Sequence, residues 1–280
     1  MSILAAVSAL TKKYPGKRAF ITGAGGGLGH NFARELAKAQ WTIGMTDLDA
    51  TQLEQAAEEV RQLGGTPVTY VFDVADFVPF EAAVKDFVSL HGGIEIGVNN
   101  AGVGCAGYLD EVSLETFERV VGINFMGAVH GCKLFVPLMK KAGAGHILNV
   151  ASAAGFVSSP RMAAYNTTKA AVISLSETLR GELVSYNVLV SVLMPTFVRT
   201  NIGKNSLGAE KYNQLAQKLV EESNVTAAQA VAKTFAKMAD KALYIVLPEQ
   251  AVFLWYFKRY FPERFWRFIN RNAKKRFGDQ

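Results

Sequence analysis

Only two cysteines occur in 280 residues; Cys105 and Cys132 stand 27 positions apart and match neither a zinc nor a redox spacing. Four histidines, His30, His91, His130 and His146, are scattered, and none forms an HExxH pair. No metal centre or disulfide framework is expected, and the expected compartment is a reducing one, the cytoplasm. No uninterrupted apolar run reaches the ~18 residues that mark a membrane-crossing helix. Residues 1–10 lack the basic leader and the length of a signal core, and read as a short helix. Internal repeats, low-complexity tracts and linkers are also missing. With 50% hydrophobic and 19% charged residues, the chain reads as one globular domain rather than a disordered one. Excess acid is absent too. The formal net charge is +6, and the last 28 residues, 253–280, hold all of that excess: eight Lys and Arg against Glu263 and Asp279.

What is present is an alternation. Short β-rich runs at 18–22, 42–46, 68–72, 94–98, 146–150 and 188–193 are separated by helical patterns at 28–39, after Asp49, at 80–90, at 113–141 and at 165–186. Asp49 with Gln52 and Thr226 with Gln229 have the spacing of helix N-caps. Pro195 stops the sixth strand, residues 196–225 read as a polar lid, and 243–247 reads as a last strand. The pattern predicts an α/β fold: a doubly wound parallel sheet over residues 1–252, followed by a basic aromatic extension over 253–280.

Between the first strand and its helix lies Thr22-Gly23-Ala24-Gly25-Gly26-Gly27-Leu28-Gly29. In an open α/β sheet this turn presents a helix N-terminus to a phosphate group, and glycines let the backbone approach it. The spacing is Gly23-xxx-Gly27-x-Gly29 rather than GxGxxG, and no Walker Lys-Ser or Lys-Thr follows. A dinucleotide site in a Rossmann-like fold is the functional reading; a tight strand-to-helix turn is the plain one. Asp47, 18 residues past Gly29, sits where a carboxylate can accept hydrogen bonds from an adenosine ribose, or can cap the next turn. A 2′-phosphate would meet its charge with no basic residue between Gly23 and Gly29 to compensate, so NAD(H) is expected over NADP(H).

Tyr165 and Lys169 are four apart in a helical pattern, which puts a phenol and an ammonium on one face. A cation about 5 Å from a phenol favours the phenolate by roughly 3 kcal/mol at an effective dielectric of about 20. That is about two pKa units, and it moves the phenol towards the range of a general acid or base.

Together, Thr22 to Gly29, Asn99-Asn100-Ala101-Gly102, Ser152 and the Tyr165-xxx-Lys169 pair resemble the short-chain dehydrogenase/reductase family, in order and over roughly residues 15 to 200. The resemblance implies an NAD(P)-dependent oxidoreductase and a catalytic tetrad of Asn124, Ser152, Tyr165 and Lys169. Tyr165 would exchange a proton with the substrate oxygen and Ser152 would hold that oxygen. Lys169 would bind the nicotinamide ribose and lower the phenol's pKa, and Asn124 would open its helix and hold a water. For the cofactor it implicates Gly23, Gly27, Leu28 and Gly29, Asp47, Asp73 and Val74 beside the adenine, and Asn100, Ala101 and Gly102 beside the ribose. Pro195, Val198 and Thr200 follow, with Thr196 in place of the family's usual glycine. Family members commonly form homo-oligomers.

Small or apolar residues after Ser152 (153–157) and near Gly102 (Val103, Cys105, Ala106) suggest a pocket for an apolar alcohol or ketone. A 3-oxoacyl thioester reductase is the nearest enzymatic alternative; a nucleotide sensor without chemistry, or a membrane-associated scaffold, are those of another class. The tail holds ten of the chain's 30 aromatics. Phe265, Trp266, Phe268 and Ile269 recur on one side of a helical pattern, with Arg264, Arg267, Arg271 and Lys274 on the rest. This suits an anionic membrane surface on the cytoplasmic face, or packing on the body or on another subunit. Nucleic acid is not an expected partner.

Overall fold

The computed structural model describes residues 1–200 and 206–277; the lid positions 201–205, residues 278–280 and the side chains of 215, 216, 219 and 274–277, Lys274 among them, lie outside the described residues. Helix α1 (Ile3–Lys13) leads into β1 (Arg18–Thr22), α2 (Gly27–Ala37), β2 (Thr42–Asp47), α3 (Ala50–Gln62), β3 (Thr66–Val71), α4 (Phe77–His91) and β4 (Ile96–Asn99). Then come β5 (Cys105–Ala106), α5 (Leu114–Val121), α6 (Gly127–Ala142), β6 (Gly145–Val150), α7 (Ala154–Val157), α8 (Ala163–Glu182) and β7 (Val188–Pro195). The chain continues through β8 (Leu207–Gly208), α9 (Glu210–Glu221), α10 (Ala227–Ala239), β9 (Tyr244–Leu247), α11 (Gln250–Tyr260) and α12 (Pro262–Phe277).

Seven strands form one parallel sheet in the order β3-β2-β1-β4-β6-β7-β9. Alternation along β1 shows how both faces are filled. Ala19 and Ile21 pack with Phe32, Leu36, Leu53 and Phe235 from α2, α3 and α10, while Phe20 turns to Phe80, Phe87 and Phe135 from α4 and α6. The strand order reverses between β1 and β4. In doubly wound sheets the crevice at that reversal, beyond the strand C-termini, is where ligands bind.

Several boundaries differ from the sequence reading. The helical stretch after Ser113 is not continuous: Gly122–Met126 form a π-helical turn between α5 and α6. Residues 114–142 are long and apolar enough to cross a membrane by length and composition. In this fold they cover the sheet instead, burying Cys132, Phe135 and Met139 against it. Helix α8 begins before Tyr165 and stops at Glu182, where a single 3-10 turn, Val184–Tyr186, leads to β7. The expected polar lid holds its own structure: β8 pairs with β5, and α9 follows. Thr226 and Gln229 make a reciprocal capping box on α10, and Asp49 caps α3 through Thr51 and Gln52.

Helix α6 lies so close to β4 that a Cβ at Gly131 would sit 1.9 Å from the Asn99 Oδ1. Asn99 cannot withdraw freely, because its amide donates to Asn149 (2.8 Å), which in turn donates to Ser176 on α8 (3.0 Å). Gly131→Ala is therefore expected to lower unfolding stability by about 1–3 kcal/mol in urea titration, the usual cost of overpacking a filled interior. An unchanged midpoint would show that α6 is free to shift.

Candidate active site

The crevice at the strand reversal is a single cavity of about 1420 Å³. One end is built by the glycine loop. Gly23 and Gly27 take positive φ (65° and 56°), and α2 starts with Gly26 as a cap that offers its first turn no side-chain acceptor. The donors of that turn are left for an anion, as a pyrophosphate would require. Gly29 is required for a different reason: a Cβ there would lie 2.1 Å from the Gly23 carbonyl oxygen, with backbone in the way.

The Asn99-Asn100-Ala101-Gly102 segment holds this loop in place. Thr22 Oγ1 accepts from the backbone N–H groups of Asn100 (2.9 Å) and Ala101 (3.1 Å), and the Asn100 amide donates to the carbonyls of Thr22 (2.9 Å) and Gly23 (3.0 Å). The Asn100 side chain thus braces the loop at the end of β1, while the residue itself still lines the cavity. Ala101 and Gly102 line the cavity beside it.

Asp47 also does loop work. Its Oδ2 accepts from Gly25 N–H (2.9 Å), and its Oδ1 from Leu48 N–H (2.8 Å) and Asp49 N–H (3.3 Å). It still faces the cavity, and a carboxylate has lone pairs to spare for a ribose. Asp73 lines the same end and is ion-paired to Arg119 of α5, a residue the sequence reading did not single out. Leu28, Val74, Pro195, Val198 and Thr200 line the cavity as well.

Ser152, Tyr165 and Lys169 meet on the wall beyond the ends of β4, β6 and β7. The Lys169 Nζ lies 5.6 Å from the Tyr165 ring centroid and donates to the Val150 carbonyl at 3.0 Å. Ser152 Oγ accepts from Ala154 N–H (3.1 Å) and donates weakly to the Pro195 carbonyl (3.3 Å). The spacing expected between phenol and ammonium is present, but its electrostatic result differs. Burial raises the Tyr165 phenol above its ordinary value, with a hydrogen bond to Ser152 pulling the other way, and burial lowers Lys169 to about 8. The expectation of a depressed phenol is corrected on this point: for groups this deep, losing water disfavours each charged form more than the pair's attraction favours it.

Asn124 is buried in the π-helical turn and does not line the cavity. Its Oδ1 accepts from Val103 N–H (2.8 Å), and its amide donates to the Val103 carbonyl (2.9 Å) and contacts Thr168 Oγ1 (3.4 Å). With both ends of the side chain taken, it pins the segment that follows Gly102.

The lining beside Tyr165 is apolar. Val103, Cys105, Met162 and Leu207 pack with it, and Ala106 and Val157 also line the cavity, together with Leu254, Phe268 and Ile269 from the C-terminal helices, which the sequence did not place there. At the rim, the Arg161 guanidinium donates to the Tyr108 hydroxyl (2.7 Å) and stacks on Tyr108 and Tyr212 (4.8 and 5.2 Å to the ring centroids).

The sign of the Lys169 shift gives a pH test. The folded group prefers to be neutral above about 8, while the unfolded chain holds the proton to about 10.5, so this residue's contribution to stability rises as pH climbs between them. Relative to a Lys169→Met protein, the parent should gain up to about 3 kcal/mol of stability as pH rises from 8 towards 10.5. Denaturant titration at pH 7 and 10 checks this; a constant difference rejects it.

Comparison with known proteins agrees with this geometry. Residues 17–211 match the model of the short chain dehydrogenase family. A probable oxidoreductase, EphD of Mycobacterium tuberculosis, is 37% identical over 183 residues, which is 65% of this chain but only 31% of that protein's length. Estradiol 17-beta-dehydrogenase 11 of Homo sapiens is 31% identical over 277 residues, covering 95% of this chain and 86% of the relative. A short chain dehydrogenase/reductase from Burkholderia phymatum, solved in complex with NAD, superposes with a TM-score of 0.84 at 30% identity, over 88% of this chain and 94% of that one. Another solved relative, at 26% identity, holds 5-hydroxy-NADP. The chain belongs to the short-chain dehydrogenase/reductase family of NAD(P)-dependent oxidoreductases.

Proposed function

We propose that the protein moves a hydride between NAD(H) and an apolar secondary alcohol or its ketone, with Tyr165 as the general acid and base. The convergence of Ser152, Tyr165 and Lys169 on a cavity that also contains the glycine loop carries this reading. The nicotinamide supplies or accepts the hydride, and the chain manages one proton and one developing oxyanion. In the direction of reduction, Tyr165 gives its proton to the carbonyl oxygen. The phenol is protonated at neutral pH, as a proton donor must be, although burial raises its pKa and makes it the weaker acid in the cofactor-free site. Ser152 donates a second hydrogen bond to the same oxygen after releasing its weak contact to Pro195. Lys169, whose Nζ can donate to more than the Val150 carbonyl, holds the ribose hydroxyls. Asn124 acts as a positioning residue through Val103.

The apolar wall and the likeness to an estradiol dehydrogenase support a bulky hydrophobic alcohol, such as a steroid, a retinoid or a long-chain or aromatic alcohol. Asp47 supports NAD(H), because a 2′-phosphate would face its carboxylate. Two buried, unpaired thiols suit the reducing cytoplasm, and a homo-oligomer is in keeping with the family.

Tyr165→Phe is expected to lower kcat by about 10²–10⁴-fold while leaving the NADH dissociation constant within a factor of about two, the pattern of a lost acid-base group. Full turnover by that variant would rule Tyr165 out. Across a panel of ketones, alcohols and 3-oxoacyl thioesters, hydrophobic ketones should give the highest kcat/KM; preference for the thioesters would favour the reductase alternative. NADH should exceed NADPH in kcat/KM by about tenfold or more, and Asp47→Ser should narrow that ratio. A parent enzyme that prefers NADPH overturns the cofactor assignment.

A further inference from the structure

The C-terminal helices have two different faces, and only one belongs to the cavity. On the inside, Leu254, Phe268 and Ile269 roof the apolar wall, and Phe265 is 2% exposed against Phe257 (5.6 Å between ring centroids). On the outside, α11 presents Phe253, Tyr256 and Tyr260, at positions i, i+3 and i+7, exposed by 67%, 53% and 72%. Trp266 on α12 is 64% exposed. The sequence reading had put Trp266 on one side with Phe265; the structure separates them. Among the described residues, only Tyr186 and Phe197 are exposed aromatics outside this segment. Arg264, Arg267 and Arg271 repeat the i, i+3, i+7 spacing on α12, and all three are exposed.

An exposed aromatic row and an arginine row on one helix pair form an unusual surface. Water solvates arginines well but gains nothing from these large rings, Phe261 at 52% exposure among them, and a monomer rarely leaves such rings uncovered. The charge is one-sided as well: the segment carries the whole excess of the chain, with Glu263 and Asp279 as its only acids. Aromatic rings settle at the level of lipid headgroups, and guanidinium groups pair there with phosphates. A neutral partner would match only the rings, and a nucleic-acid duplex only the arginines.

We propose that α11 and α12 rest on an anionic phospholipid surface and that, because their inner face roofs the substrate cavity, apolar substrate reaches Tyr165 from the lipid phase. The second half rests on the function proposed above; the first does not. The helices then serve as a wall on one side and an anchor on the other, and the lipid would shorten the path an insoluble alcohol takes through water.

Co-sedimentation of the full chain with vesicles tests this. The parent should bind phosphatidylcholine vesicles containing phosphatidylglycerol and not vesicles of phosphatidylcholine alone. Arg264→Gln/Arg267→Gln/Arg271→Gln should weaken binding by about 100-fold, taking each surface cation at its usual worth. Tyr256→Ser/Tyr260→Ser/Trp266→Ala should weaken it by about tenfold or more. Both variants should keep the parent's particle mass in light scattering and its turnover of a water-soluble ketone, since none of these residues lines the cavity. A long-chain ketone carried in anionic vesicles should be reduced faster by the parent than by either variant. No sedimentation of the parent, equal binding to both vesicle types, or a changed particle mass in the variants, which would mark a subunit interface, overturns the anchor. Lipid binding without any faster reduction overturns the delivery route alone. Lipid binding by a chain that turns over no alcohol or ketone would leave the anchor standing and defeat the proposed function instead.

Discussion

The cavity depends on a latch between two parallel strands. Beyond their C-terminal ends, β1 and β4 have no ladder left to satisfy their carbonyl and amide groups, and the chain directions diverge there. Thr22 and Asn100 close that gap with four hydrogen bonds. The glycine loop is thereby held open towards the cavity, and Gly29 can pass beneath the Gly23 carbonyl. On the outer side Asp47 ties the same loop to the end of β2. A phosphate site made of backbone donors needs such bracing, because a loop without side chains has little to pack with.

Deeper in, a network of buried polar side chains joins the sheet to the helices above it. Asn99, Asn149 and Ser176 form one chain of hydrogen bonds between the sheet and α8. Asn124 holds the segment that follows Gly102, and Lys169 reaches the end of β6. These contacts keep α8 at a fixed height above the strand ends, which decides where Tyr165 points. Burial also sets the chemistry of the pair: it keeps the proton on the Tyr165 phenol and lowers Lys169 to about 8, so that the ammonium is still charged at neutral pH but less firmly than in water.

Much of this was legible beforehand. The strand runs could be read because the sheet is buried on both faces, which makes β1, β6 and β7 nearly continuous in apolar residues. The glycine loop, the Asn99 to Gly102 segment, Ser152, Tyr165 and Lys169 were visible from short-range spacing, since each motif depends on a local turn or helix. The interruption at Asn124 was implied by the family resemblance and not by helical periodicity. The Arg119 to Asp73 pair could not be seen, because its partners are 46 residues apart and nothing in the sequence marks Arg119.

The amino-acid sequence by itself determined the order of strands and helices, the loop that can face a phosphate, and the placing of a phenol and an ammonium one helical turn apart. Local spacing carries those features, and spacing does not depend on what packs around it. Tertiary structure decided the direction of the Tyr165 shift, the commitment of Asn100 and Asn124 to the backbone, and the division of the tail into a cavity wall and an exposed aromatic face. Each of these depends on which groups lose water and which distant neighbours replace it, and burial is a property of the folded chain as a whole.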